Sequence, residues 1–284
     1  MQAVLIVVTQ VGILTFVVAG MAGLGLSLTI SQILTPLRDT RLVVGVLVAN
    51  FVLVPAVAVL AARGLPMDDA AGTAVILLGC CAGAPFIPTL AKLAHGDAAL
   101  AVGTMVLLMV ITVGFAPVVV PRAVEGAEVS TWDIAQSLLL FMLLPLAAGL
   151  LARARYASAA EAVVGGFNHA STTGLAIGVV AGLLVTWRDV LGSIGSWIFV
   201  GTVIVLAAGI AAGWLSGFGR PTGDRTVLGL AGAQRNISAA LVIAAPLDGD
   251  VVVLTLVAAL VIPIALILLA AEIGRRSDGE TTTA

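Results

Sequence analysis

The chain has 284 residues, 61% of them hydrophobic and only 10% charged, with a formal net charge of −2. Soluble globular domains carry about 25% charged residues, so there is too little charge here to clothe a water-exposed surface. With no basic patch, nothing points to a nucleic-acid partner.

The chain instead reads as an integral membrane protein of the all-α class. Apolar runs of about 20 residues, enough to cross a hydrocarbon core of roughly 30 Å, fill most of it. In chain order they lie at 3–30, 41–62, 70–94, 98–120, 133–152, 160–186, 190–217, 226–247 and 250–274. Backbone in lipid must satisfy its own hydrogen bonds, and runs this long do so as helices, not as barrel strands. The first run lacks a positive n-region and exceeds a signal h-region, so it predicts a span and not a cleaved leader.

Nine spans put the termini on opposite sides. One side then receives Arg38, Arg41, Lys92, Arg153, Arg155, Arg220, Arg225, Arg275 and Arg276, the other Arg63, Arg122 and Arg188. The positive-inside rule makes the first side cytoplasmic. The expectation is a multi-pass protein of the cell inner (plasma) membrane, with its N-terminus outside and its C-terminus inside. Trp132 and Trp187 fall near the outer interface and Trp214 near the inner one, as aromatic belts do. Residues 1–276 form a single transmembrane domain, and 277–284 are expected to be a disordered cytoplasmic tail.

One cation remains. Arg235 sits inside the eighth span, with no acidic residue placed at membrane depth to pair with it. A lone Arg there costs roughly 3 kcal/mol or more on insertion scales unless it faces water or a partner.

The third and eighth spans resemble each other. Ala82-Gly83-Ala84 matches Ala231-Gly232-Ala233 at an offset of 149, and Gly96-Asp97 matches Gly249-Asp250 at 153. The slip between the two offsets is about one helical turn. The two spans cross in opposite senses, the mark of an inverted repeat with discontinuous helices meeting at the midplane. Spans 1–4 pair with 6–9, and the fifth connects them. Pro85 and Pro88 predict a break in the third span. Gly232 and the polar knot Gln234, Arg235, Asn236 and Ser238 predict one in the eighth. These residues, with Asn50, Phe86 and Thr89, are the candidate substrate site.

Asn168, His169, Ser171, Thr172 and Thr173 form a second polar cluster. They read as interhelical hydrogen bonding, or as a proton-coupling group at His169 with Asn168 beside it. Lys92 and His95 read as helix-end anchors or as anion attractors. Cys80 and Cys81 are apolar packing residues. No phosphate loop, zinc spacing or nucleophile–base set is present, so the chain reads as no enzyme and as needing no cofactor.

The stretch Gly79-Cys80-Cys81-Ala82-Gly83-Ala84-Pro85, continued by Leu93-Ala94-His95-Gly96-Asp97-Ala98-Ala99-Leu100, resembles the fourth helix of the bile acid:sodium symporter family. The segment from Gly232 and Gln234 to Leu241 resembles its crossing ninth helix. Gly23-Leu24-Gly25-Leu26-Ser27-Leu28 resembles the end of its second, and Asn50-Phe51 with Pro55 its third. The resemblance spans the chain apart from the family's first helix. It implies panel and core domains, two unwound helices that cross, and sodium ions bound beside an organic anion.

The departures from that pattern bear on sodium. Leu230 stands where the resemblance implies an acidic residue, and Ile87 and Pro88 where it implies a polar pair. Ala101 and Met105 replace further polar ligands. Gln234 and Asn50 are what a residual sodium site would keep, and no other metal ligand is assigned. Arg235 stands where Asn is usual, and its guanidinium would replace the cation or hold the substrate's anionic group.

These residues predict a secondary transporter that moves a small organic anion by alternating access, with sodium or proton coupling open. An efflux carrier for an inorganic or metalloid anion (suggested by Cys81 near the break) and a non-transporting sensor or scaffold of the same fold are the alternatives.

Overall fold

The computed structural model describes residues 2–34, 38–124, 131–192 and 195–282, and within them all regular structure is helical. The helices are α1 Gln2–Ser27, α2 Ile30–Leu34, α3 Thr40–Val48, α4 Val54–Gly64, α5 Asp69–Cys80, α6 Ile87–Leu93, α7 Ala98–Ala123, α8 Thr131–Leu138, α9 Leu144–Arg155, α10 Ala157–Gly192, α11 Ile198–Ser216, α12 Thr222–Ala233, α13 Ile237–Ala244 and α14 Gly249–Thr282. Six helical segments among the described residues are long and apolar enough to cross a membrane: Val4–Ser27, Thr40–Gly64, Ala98–Ala123, Ile198–Ser216, Thr222–Ala244 and Gly249–Ser277.

Two boundaries differ from expectation. α10 continues through Gly192, and α11 starts only at Ile198. The chain turns between them on Gly195 and Trp197, both with positive φ, so residues 190–197 do not open the seventh span. α14 runs to Thr282, so the segment from Ser277, expected as a disordered tail, continues the last helix in the described residues.

Local chemistry sets the starts and irregularities. Asp39, Asp68 and Asp97 cap α3, α5 and α7 by accepting from backbone N–H groups in the first turn, as short acidic side chains do at N-caps. Two π-helical turns, Ala49–Leu53 and Leu139–Leu143, each precede a Leu/Val-Pro step at Pro55 and Pro145. Proline donates no N–H and crowds the carbonyl four residues back, and a widened turn relieves both problems.

Packing falls into two groups. α1 packs chiefly on α10 and α9. Its Gly12 lies against Gly174 and Gly178, and its Gly25 against Gly149, with no room for a methyl group at Gly12, Gly174, Gly25 or Gly149; small residues let membrane helices approach this closely. Ser171 donates to the Phe16 carbonyl at 2.9 Å across this contact, which fits the interhelical reading of the second polar cluster. In the other group α11 packs on α12 and α4, and α5 on α4 and α14. There Gly209 and Gly213 meet the backbone of Gly232 and Leu228.

An ion-pair triad joins α3 to α12. Arg220 donates to Asp39 at 2.7 Å and to Asp224 at 2.9 Å. The hydrogen bond from Arg220 holds the Asp39 carboxyl below its ordinary pKa. Beside it the Arg225 guanidinium lies over the Trp214 ring, 3.1 Å from its centroid, a cation–π contact.

Candidate functional site

Both predicted breaks are present. α5 stops at Cys80 and the chain is non-helical until α6 begins at Ile87; α12 stops at Ala233 and α13 begins at Ile237. The two helix ends lie 153 residues apart (233 less 80). The Ala-Gly-Ala triplets therefore do not occupy equivalent places. The first lies inside its break, whereas the second forms the last turn of its helix. Pro85 falls inside the first break. Pro88 does not; it sits in the first turn of α6, where its missing N–H would have had no partner in any case.

Arg235 is the largest fully buried side chain, with 0% exposure. Its Nε donates to the Leu78 carbonyl at 2.8 Å and its Nη2 to the Gly79 carbonyl at 2.6 Å. Its Nη1 donates to both the Gly232 carbonyl and the Asn50 Oδ1, each at 3.0 Å. Three of these acceptors are carbonyls in the last turns of α5 and α12. A helix C-terminus carries roughly half a negative charge, so the two ends together offset about one guanidinium. The fork has a single N–H left unspent.

The neighbouring residues close the first break. Asn236 donates its backbone N–H to the Cys81 carbonyl at 2.9 Å and its Nδ2 to the Gly83 carbonyl at 3.0 Å. Its Oδ1 caps α13 by accepting from Ala239 N. Thr112 of α7, which is not among the residues the sequence singles out, serves Ala82 twice. Its hydroxyl accepts from Ala82 N at 3.1 Å and donates to Ala82 O at 3.0 Å. An isolated Thr in an apolar helix was the available signal, but nothing in the spacing ties position 112 to 82. Thr112→Val keeps the shape and leaves a buried donor and acceptor unmet. At about 1–3 kcal/mol for each, it should lower the unfolding temperature in detergent, while Thr112→Ser should hold near wild type. Equal melting of the Val and Ser variants would show that the hydroxyl is unimportant.

The structure thus gathers Asn50, Gln234, Arg235, Asn236 and Ser238, all 2% exposed or less. Asn50 is committed on both sides, its Nδ2 to the Val46 carbonyl and its Oδ1 to Arg235. Gln234 donates to the Arg235 carbonyl at 3.3 Å, and its Oε1 is buried without a partner. Phe86 and Pro88 are half-buried and Thr89 is exposed on α6. Asn168 and His169 are exposed on α10, and Asn168 Oδ1 lies against Gly23 of α1. The thiols of Cys80 and Cys81 are free and buried. Where the resemblance implied sodium ligands, Leu230, Ile87, Ala101 and Met105 are buried apolar side chains.

Long apolar helices, two of them interrupted around a buried polar cluster, define a multi-pass membrane protein. Residues 14–191 match the family model described as the Sodium Bile acid symporter family. Over 203 residues the chain is 30% identical to YocS of Bacillus subtilis (strain 168), which is described as an uncharacterized sodium-dependent transporter. The match covers 70% of this chain and 60% of that protein. The chain belongs to the sodium bile acid symporter family. The matched region contains Asn50 and the first break and ends before α12, so the assignment does not depend on Arg235.

Proposed function

We propose that the protein is a secondary transporter that moves a small organic anion by alternating access, without a sodium requirement. The observation that carries this reading is the bonding of Arg235. In transporters with broken helices, the C-terminal ends of half-helices and their freed carbonyls coordinate the coupling cation. Here a guanidinium stands at two such ends and takes their oxygens. A sodium ion brought among them would compete with a tethered cation for the same ligands and be repelled by it. The oxygens that Arg235 holds do not fit sodium.

Other features support the architecture. Under the 153-residue shift Asn236 is the counterpart of Gly83, and these two residues are hydrogen-bonded to each other, as counterparts near a two-fold axis would be. That favours an inverted repeat in a nine-span chain. The group formed by α1, α9 and α10 fits a panel domain, and the helices around Arg235 fit a core. The charge asymmetry favours an outer N-terminus and a cytoplasmic C-terminus in the plasma membrane. The family's description names bile acids, which are organic anions.

The test is taurocholate uptake by proteoliposomes holding the purified full chain, in sodium or choline buffer. Equal initial rates are expected. A strict sodium requirement would sink the reading.

A further inference from the structure

A coupling ion does work because it binds on one side of the membrane and leaves on the other. Arg235 can do neither. Its guanidinium is fully buried and bonded to three separate segments, the π-turn at Asn50, the end of α5 and the end of α12. It is present in the loaded and the empty carrier alike. A charge that contributes equally to both states shifts no equilibrium between them and so transmits no gradient. Two helix C-termini balance it already, so the empty site carries no bare charge that a returning anion would have to neutralise. His169, the titratable side chain the sequence offered for proton coupling, is exposed on α10. α10 packs chiefly on α1 and also on α9 and α14, whereas the partners of Arg235 come from the π-turn at Asn50, α5 and α12.

From this we infer that the protein is an electrogenic uniporter, in which the anion crosses uncoupled and the membrane potential sets its direction. The inference rests on the sodium-independent reading above and adds to it the driving force. In a cell that is negative inside, net flux of an anion runs outward. For one charge, a potential of about 100 mV sustains a distribution ratio of roughly fiftyfold. The protein therefore acts as an exit route for an anion made or released inside.

The full chain in potassium-loaded proteoliposomes, with valinomycin and no sodium, tests this. Taurocholate is the probe, because its sulfonate stays ionised and does not leak through lipid as a neutral acid. An inside-negative potential should speed release of preloaded taurocholate and suppress its uptake. An inside-positive potential should drive uptake at least several-fold above the zero-potential level. A pH gradient at zero potential should drive nothing, and uptake should not need taurocholate on the far side. Sodium-free flux that ignores the potential, follows a pH gradient or needs substrate on both sides overturns the uniport inference and leaves the sodium-independent reading standing. Flux driven by a sodium gradient overturns that reading too. No taurocholate flux under any gradient overturns the organic-anion assignment, and the inference falls with it.

Discussion

Replacing Arg235 by methionine should abolish transport and lower the apparent melting temperature in detergent by about 10 °C. Two effects oppose each other in this variant. Removing a buried charge relieves its desolvation cost, and well-packed apolar replacements of buried ion pairs can even stabilise. Here the partners stay behind, however. The carbonyls of Gly79 and Gly232 and the amide oxygen of Asn50 lose their donor, and the Leu78 carbonyl keeps only the long bond from Cys81 N at 3.4 Å. At about 1–3 kcal/mol for each buried acceptor left unpaired, the loss amounts to about 4 kcal/mol or more, and it wins. Arg235→Lys keeps the charge but concentrates it at a point that cannot span four acceptors, so it should recover only part of the stability. A methionine variant that melts and transports like wild type would remove Arg235 from the centre of the site.

Gly83→Ala should be the most damaging single-methyl change in the chain. Gly83 sits at φ +79° inside the first break, a conformation that costs an L side chain roughly 1–2 kcal/mol. A methyl there would also run into the backbone of Leu108 and Met109 in α7. Helix backbone cannot swing aside as a side chain can, and overpacking of this kind costs about 1–3 kcal/mol more. The strain would displace the carbonyl that Asn236 holds and the Ala82–Thr112 pair next to it. Size-exclusion profiles of the solubilised protein should show loss of the folded peak. Gly114→Ala is the control: it lies in the same α7, with open space around it, and helix propensity favours alanine there by about 1 kcal/mol. A folded, active Gly83→Ala would show that the break does not depend on this turn.

The two breaks are legible in the sequence because proline, glycine and polar side chains in lipid have few acceptable explanations. Arg235 stands out by charge counting, since every other cation finds a place at a membrane edge. Whether the guanidinium holds carbonyls or substrate is not legible, because that depends on which helix ends face it, and spacing along the chain does not encode their approach. The likeness of the two stretches is legible in their letters, but the letters do not align the two breaks. Ala-Gly-Ala forms a helix end equally well as it forms an unwound turn, and the difference is decided by what lies opposite: Thr112 and Asn236 in one case, Gly209 in the other. Pro88 looks like a helix breaker in the sequence but starts α6, because proline in a helix's first turn gives up nothing.

The partners of Arg235 also bear on how the protein is made. Asn50, Leu78 and Gly79 precede it by 185, 157 and 156 residues, so they are synthesised first. The insertion machinery meets the α12–α13 segment with an Arg in its break, whose entry into the bilayer is unfavourable by roughly 3 kcal/mol. That segment becomes stable in the membrane only if the acceptor groups are already standing there to receive it. Biogenesis is thereby given an order: the earlier helices form the socket, and the late one plugs into it and locks the halves together. A failure of that last step would leave an unburied arginine in a segment that will not stay in lipid.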